Sequence, residues 1–248
     1  MSTTEEQIIK AKSLLSSPQI IMISPMEMNY NDGYEYLKKY LSDVYCVQLD
    51  GSDKPLLSRR WKPMYEWAEI LYNIDKNKLY YLHLFSYNLD WMIKELHKCV
   101  KKNPNLKGFF IQVDNPTIDK INIAIENVKI LQEYFIDKNI LGGLSLNASD
   151  LNPLYNSEQI YIDIAEKTYN LVNQITLPNK NKNNYTDITW ITKTALLLSK
   201  VLEKMNSRSN NKWGIDRGVD KLILEELFKY DEICHPGMAT LGKGLIYF

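Results

Sequence analysis

Six polar residues, Ser24, Asp50, Ser86, Asp114, Asn147 and Asn179, stand at or just past the ends of short apolar runs. A strand fixes a side chain there while a following loop leaves it access to a ligand, although strand ends are polar in any α/β protein because helices need caps and loops need turn chemistry. Asp114 carries the most chemistry. A carboxyl can give or take a proton, provided that it first comes within hydrogen-bond reach of the reacting atom. Gln112, two residues earlier and on the same side of a strand, can orient an amide or a hydroxyl. It cannot share a proton with Asp114 or raise its pKa by repulsion. Binding is therefore an easier task for this pair than hydrolysis.

Other reaction types fit less well. Ser86, His235 and Asp231 name a nucleophile, a base and an orienting acid. The strained Gly-x-Ser-x-Gly turn needs small residues two before and two after the serine, where Leu84 and Asn88 stand. Cys234 and His235 are neighbours in sequence, which does not make them partners in space. The run Ile20–Ile23 leads into Ser24-Pro-Met-Glu-Met rather than a glycine-rich loop, so a dinucleotide fingerprint is missing. Asp50 and Asp114 have no histidine beside them to complete a metal site. No cofactor and no metal are expected.

The elements that would position these residues follow from hydrophobic period. Runs at 20–23, 44–49, 79–85, 108–113 and 141–146 read as strands. Amphipathic helices alternate with them. Ile121, Ile125, Val128, Leu131 and Phe135 share one stripe; Met64, Trp67, Leu71 and Ile74 form another, and Met92, Leu96 and Cys99 a third. A further helix runs from Ile188 to Met205 behind Asp187 as cap, and an extra N-terminal helix starts at Thr3 with Glu6 completing a capping box. Lys94, Lys98, Lys101, Lys102 and Lys107 read as a solvated basic face. Strand and helix in alternation imply a mostly parallel sheet. Three weaker strands at 172–177, 212–215 and 244–248 bring the total to eight, giving a single-domain (β/α)8 TIM-like barrel over residues 1–248. The alternative is a flavodoxin-like open sheet with a helical C-terminal region. In the barrel, the ligand site lies at the C-terminal mouth around Asp50, Ser86, Asp114 and Asn147, with Tyr30, Tyr87, Tyr155, Tyr247 and Phe248 as candidate aromatic faces.

The stretch Lys107-Gly-Phe-Phe-Ile-Gln-Val-Asp-Asn-Pro116 resembles the fourth-strand signature of family 18 glycoside hydrolases, the chitinase-like barrels. Gly108 and Pro116 match. Lys107, Phe110 and Gln112 replace aspartates, and Asp114 replaces the glutamate that acts as acid. Lys78–Ser86 resembles the family's third strand, Leu171–Leu177 its sixth, and Gly244–Phe248 its eighth, whose terminal aromatic floors the sugar site. The resemblance implies a carbohydrate or other small polar ligand, Asp114 as acid, Gln112 as orienting partner, Tyr247 or Phe248 as floor, and weak or no glycoside hydrolysis. A second stretch, Ser86-Tyr-Asn-Leu-Asp-Trp-Met-Ile-Lys-Glu-Leu96, resembles TIR domains, where a Trp precedes a Glu-Leu pair by four residues; it implies an NAD-cleaving or signalling role for Glu95 on an open sheet. A non-catalytic scaffold is the third reading.

Composition narrows the partners. The 248 residues carry 30 Lys+Arg against 30 Asp+Glu, a balance unlike that of a nucleic-acid-binding surface. Three scattered cysteines suit a reducing compartment. Neither a signal-type leader nor a run of membrane-spanning length is expected, which points to a cytoplasmic protein that contacts no membrane.

Overall fold

The computed structural model describes residues 20–23, 30–43, 46–54, 62–114, 117–147, 166–167, 173–176, 213–216, 218–219, 238–242 and 245–247. The N-terminal helix expected from Thr3, the helix from Ile188 to Met205, the Asp231 to His235 segment, Tyr155 and Phe248 lie outside the described residues. Two compact units divide the chain: Ile21–Val113 with Ile118–Ser145, and Met1–Ile20 with Asp114–Thr117 and Leu146–Phe248.

The first unit alternates strands with helices as the periodicity requires: β1 (Ile20–Ile23), α1 (Tyr30–Tyr40), β2 (Cys46–Ser52), α2 (Met64–Ile74), β3 (Leu79–Phe85), α3 (Leu89–Lys102), β4 (Leu106–Val113), α4 (Ile118–Tyr134) and β5 (Leu141–Asn147). The five strands stand side by side in chain order. β1, β2, β3 and β4 pair in parallel, with Asp50 opposite His83 and His83 opposite Phe110. Tyr80 pairs with Leu106 but Tyr81 with Gly108, so β4 holds one extra residue, Lys107, in a bulge.

Side chains alternate between two faces along each strand. A Cβ placed on Gly51 would collide with Met64 of α2, so Leu49 and Val47, two and four residues away, face the helices. Tyr80 does likewise, its hydroxyl donating to the Asn103 carbonyl at the end of α3 (2.9 Å). Phe109 meets the Cβ position of Gly142 beside Val128 of α4. The helices answer with the expected stripes. Met64, Trp67, Ala68 and Leu71 of α2, Met92, Leu96 and Cys99 of α3, and Ile121, Ile125, Val128 and Leu131 of α4 are all buried. Asn103 ties two of these helices together by donating from Nδ2 to the Ala68 carbonyl (3.1 Å).

The opposite face carries Gln48, Asp50, Tyr81, His83, Gly108, Phe110 and Gln112. Here Tyr81 stacks on Phe110 with ring centroids 5.5 Å apart. A Cβ on Gly108 would lie 2.8 Å from the Tyr81 ring and 2.5 Å from the Leu141 carbonyl oxygen, so only glycine lets β4 approach its neighbours this closely.

In the second unit β6 (Asn173–Thr176) and β7 (Trp213–Asp216) pair in parallel. β10 (Leu245–Tyr247) falls where the eighth parallel strand was expected, yet it runs antiparallel to both β8 (Gly218–Val219) and β9 (Met238–Gly242). The reason is local. Gly242 pairs with Leu245, leaving only Lys243 and Gly244 between them, a connection that suits a hairpin and is far too short for a parallel crossover. Among the described residues, no helix is long and apolar enough to cross a membrane.

Candidate functional site

A line of polar side chains crosses β2, β3 and β4 on the face turned away from the helices. Gln48 Nε2 lies 3.1 Å from Asp50 Oδ1 and 3.1 Å from His83 Nδ1, while His83 Nε2 lies 2.7 Å from Gln112 Oε1. All four residues are buried. The roles follow from what each atom can do. Gln112 Oε1 only accepts, so His83 Nε2 carries a hydrogen; Gln48 Nε2 only donates, so His83 Nδ1 accepts. That assignment is the neutral imidazole with its proton on Nε2, given the amide orientations that place nitrogen against the Asp50 carboxylate. Asp50 Oδ1 and His83 Nδ1 stand 3.3 Å apart, two acceptors held together by the amide that donates to both. Gln48 Oε1 is left buried without a hydrogen-bond partner.

Strand pleat explains the line. Asp50, His83 and Gln112 sit near the C-terminal ends of adjacent parallel strands, and alternation brings them to one face. Gln48 lies one step deeper. Phe85 packs on His83 with ring centroids 4.5 Å apart, which restrains the imidazole from the mouth side.

Asp50 also lines a cavity of about 230 Å³ at the end of β2, bounded by the start of α2 and one face of α3. Trp91, Glu95 and Lys98 reach it from α3 because residues four and three apart share a helix face. Lys62 and Tyr65 contribute from the α2 side. Glu95 is buried and accepts from Lys98 Nζ at 2.6 Å. This hydrogen bond lifts the Lys98 ammonium above the ordinary lysine value, against a smaller opposing effect of burial. Lys98 Nζ also lies 5.1 Å from the centre of the Tyr65 ring, a cation–π contact.

The residues singled out in the sequence separate into two groups. Asp50 and Gln112 are joined through His83. Ser86 is buried and shapes the turn into α3: its Oγ accepts from the Asn88 N–H at 2.9 Å, and the Asn88 side chain in turn caps α3 by accepting from the Trp91 N–H at 3.1 Å. Asp114 follows the last residue of β4 and is exposed, while Gln112 is engaged by His83. Asn147 ends β5 and Tyr247 ends β10. Tyr87 is exposed. Gln48 and His83 were absent from the expected site. Their signal is a polar residue spaced by two from another, or set alone, inside an otherwise apolar strand. Trp91 and Glu95 do share a cavity, as their spacing requires. Among the described residues no group of three or more His, Cys, Asp or Glu is placed to hold a metal ion.

No protein-family model matches the chain, and no curated protein matches it. Solved structures do. The carboxyl transferase domain of Rhizobium etli pyruvate carboxylase aligns with 98% of this chain at 10% identity and a TM-score of 0.59. This chain spans 45% of that one. An aldolase, QR15, aligns over 92% of this chain and 90% of its own at 10% identity and a TM-score of 0.57. A D-tagatose 3-epimerase-like protein covers 91% of both chains at 9% identity and a TM-score of 0.51. These are TIM-barrel proteins, and the likeness shows that the fold is an α/β barrel of that class rather than a flavodoxin-like or TIR-like open sheet.

Proposed function

We propose that this barrel binds a carbohydrate or other small polar ligand at the C-terminal ends of β2, β3 and β4, with Asp50 as the principal contact. One observation carries the reading: the hydrogen-bonded line from Gln112 through His83 and Gln48 to Asp50. Barrel interiors are filled mainly by branched apolar side chains, and chemistry sits at the C-terminal ends of the strands. Four buried polar groups at that end cost desolvation that apolar residues would avoid. Their return is a fixed carboxylate. Gln48 and His83 restrain the Asp50 side chain, so a ligand hydroxyl meets an acceptor already oriented.

Asp114, exposed just past β4, is proposed as the acid if any glycoside is cleaved, and Ser86 as a further ligand contact at the end of β3. The chitinase-like mechanism asks for two neighbouring acids beside the sugar, and Gln112 supplies an amide in place of one, so binding with weak or no hydrolysis is the expected behaviour. Two free buried cysteines, Cys46 and Cys99, suit the proposed cytoplasmic location. A thermal-shift screen of wild type, Asp50→Asn and Asp114→Ala against chito-oligosaccharides, monosaccharides, nucleotides and NAD tests the reading. A ligand at about 100 times its Kd adds about 2.7 kcal/mol. A sugar-dependent rise in Tm lost in Asp50→Asn is expected. Sugar responses that ignore Asp50, or a response to NAD alone, would overturn it.

A further inference from the structure

We infer that Gln48, Asp50 and His83 form one face of a coordination shell for a divalent transition-metal cation, with Asp50 Oδ1, His83 Nδ1 and the amide oxygen of Gln48 as its protein ligands. The inference goes beyond the proposed sugar contact and does not depend on it. Its first support is the shape of the set. Gln48 Nε2 stands 3.1 Å from both Asp50 Oδ1 and His83 Nδ1, and those two stand 3.3 Å apart. A glutamine amide is close to symmetric in shape, so a half-turn about its last bond exchanges Nε2 for Oε1. Three electron-pair donors then occupy the corners of a nearly equilateral triangle. A cation about 2.1 Å from each corner, an ordinary zinc distance to nitrogen or oxygen, would see them at angles of roughly 95–104°, between the octahedral and the tetrahedral value.

The second support is hydrogen-bond accounting. Asp50 Oδ1 and His83 Nδ1 are both acceptors, and the Gln48 amide reconciles them by donating to both. That orientation strands Gln48 Oε1, which is buried and lacks a hydrogen-bond partner. Native folds rarely leave such an acceptor unserved, and an ion at the site is a standard reason when they do. With the cation bound, the amide turns, its oxygen becomes a ligand, and both acceptors face a positive charge. The third support is the tautomer. His83 donates from Nε2 to Gln112 Oε1 at 2.7 Å, which keeps the Nδ1 lone pair available and is the outer hydrogen bond that metal-bound imidazoles commonly make. The strands hold the set in place, since Asp50 stands opposite His83 in the pairing of β2 with β3. The set holds one Asp and one His, with an amide oxygen as the third donor. An imidazole nitrogen beside carboxylate and amide oxygens suits Zn2+, Co2+ or Mn2+ better than Ca2+, and the remaining positions take water or a ligand.

The test strips the full chain with EDTA and titrates it with Zn2+, Co2+, Mn2+, Mg2+ and Ca2+ by calorimetry and thermal shift, with no sugar present. One equivalent of Zn2+ or Co2+ binds with a Kd at or below about 10 μM and raises Tm, and bound Co2+ develops visible absorption bands. Asp50→Asn and Gln112→Leu, both checked by circular dichroism, each weaken binding at least about tenfold. Gln48→Glu supplies a carboxylate in place of the amide, so it strengthens binding while lowering the Tm of the metal-free chain by setting two carboxylates together. Silence toward all five cations, a response to Mg2+ or Ca2+ alone, binding unchanged in Asp50→Asn, or binding not strengthened in Gln48→Glu overturns the inference. A sugar response of the EDTA-treated chain without any cation response overturns it and leaves the proposed sugar site standing. Zn2+ or Co2+ binding that follows these substitutions, without any sugar response, upholds it and removes the carbohydrate part of the other reading.

Discussion

His83 connects more of the candidate site than any residue that could be singled out in the sequence. It accepts from Gln48 and donates to Gln112, so it fixes two amides from two different strands. His83→Leu would leave Gln112 Oε1 and one Gln48 hydrogen without these partners inside the fold. Each buried hydrogen bond lost in this way costs about 0.5–1.5 kcal/mol. Urea unfolding is expected to show that loss with the m-value unchanged, and ligand affinity at Asp50 is expected to fall with it. Asp50 was legible because it stands near the end of a strand beside Gly51, and Gln112 because of its place in the stretch that resembles the family 18 fourth strand. Their connection was not. It depends on which residues of β2, β3 and β4 stand opposite one another, and register between parallel strands is set by packing far apart in sequence. His83 itself was hidden inside Tyr-Leu-His-Leu-Phe, where it reads as one more member of a buried run.

At the scale of elements, the helices of the first unit were the most legible feature. An apolar stripe recurring every three or four residues has no other low-energy arrangement, and the stripes of α2, α3 and α4 are buried as the period requires. The start of α3 adds a measurable contact. Asn88 accepts from the Trp91 N–H, so Asn88→Ala is expected to cost about 0.5–2 kcal/mol in thermal or chemical unfolding. It should also loosen Trp91 and Glu95, and hence the cavity wall, before it affects the His83 line. β9 and β10 were less legible. Met-Ala-Thr-Leu-Gly has small residues and no clear alternation, and the hairpin is specified by the two residues between Gly242 and Leu245 rather than by either strand.

For the molecule as a whole, burial of weak acids predicts the response to alkali. Desolvation pushes the Cys46 and Cys99 thiols above their ordinary value of 9.0, and the Tyr36 and Tyr80 phenols above 10.0. Neutral forms are favoured in the fold, so above these ordinary values the unfolded chain releases protons that the folded chain retains. Their contribution is fully present below about pH 9 and declines as pH rises, by at most about 1.4 kcal/mol per pH unit for each group. Tm measured from pH 7 to 11 is expected to fall on the alkaline side. Cys46 and Cys99 should resist a thiol reagent at pH 8 until the protein is unfolded. The barrel class was legible from alternation of strand and helix together with chain length. The antiparallel pairing of β10 was not, because an apolar run shows that a strand forms without showing its direction.

The bulge at Lys107 works as a phase shifter in the reading frame of β4. Counting by twos from Leu106, which pairs with Tyr80 on the helix side, would send Gln112 into the helix layer; the extra residue turns the count over, and Gln112 meets His83 instead. Deletions in this strand should then divide sharply. Removing Lys107 erases the bulge yet leaves every later side chain on its present face, so β4 should still fold and retain the contact. Removing Ile111 leaves the bulge and inverts Gln112, sending an amide among Phe109 and Val128 and leaving His83 without this acceptor. Comparing the Tm of the two single-residue deletions would show that difference, with ΔIle111 much the lower.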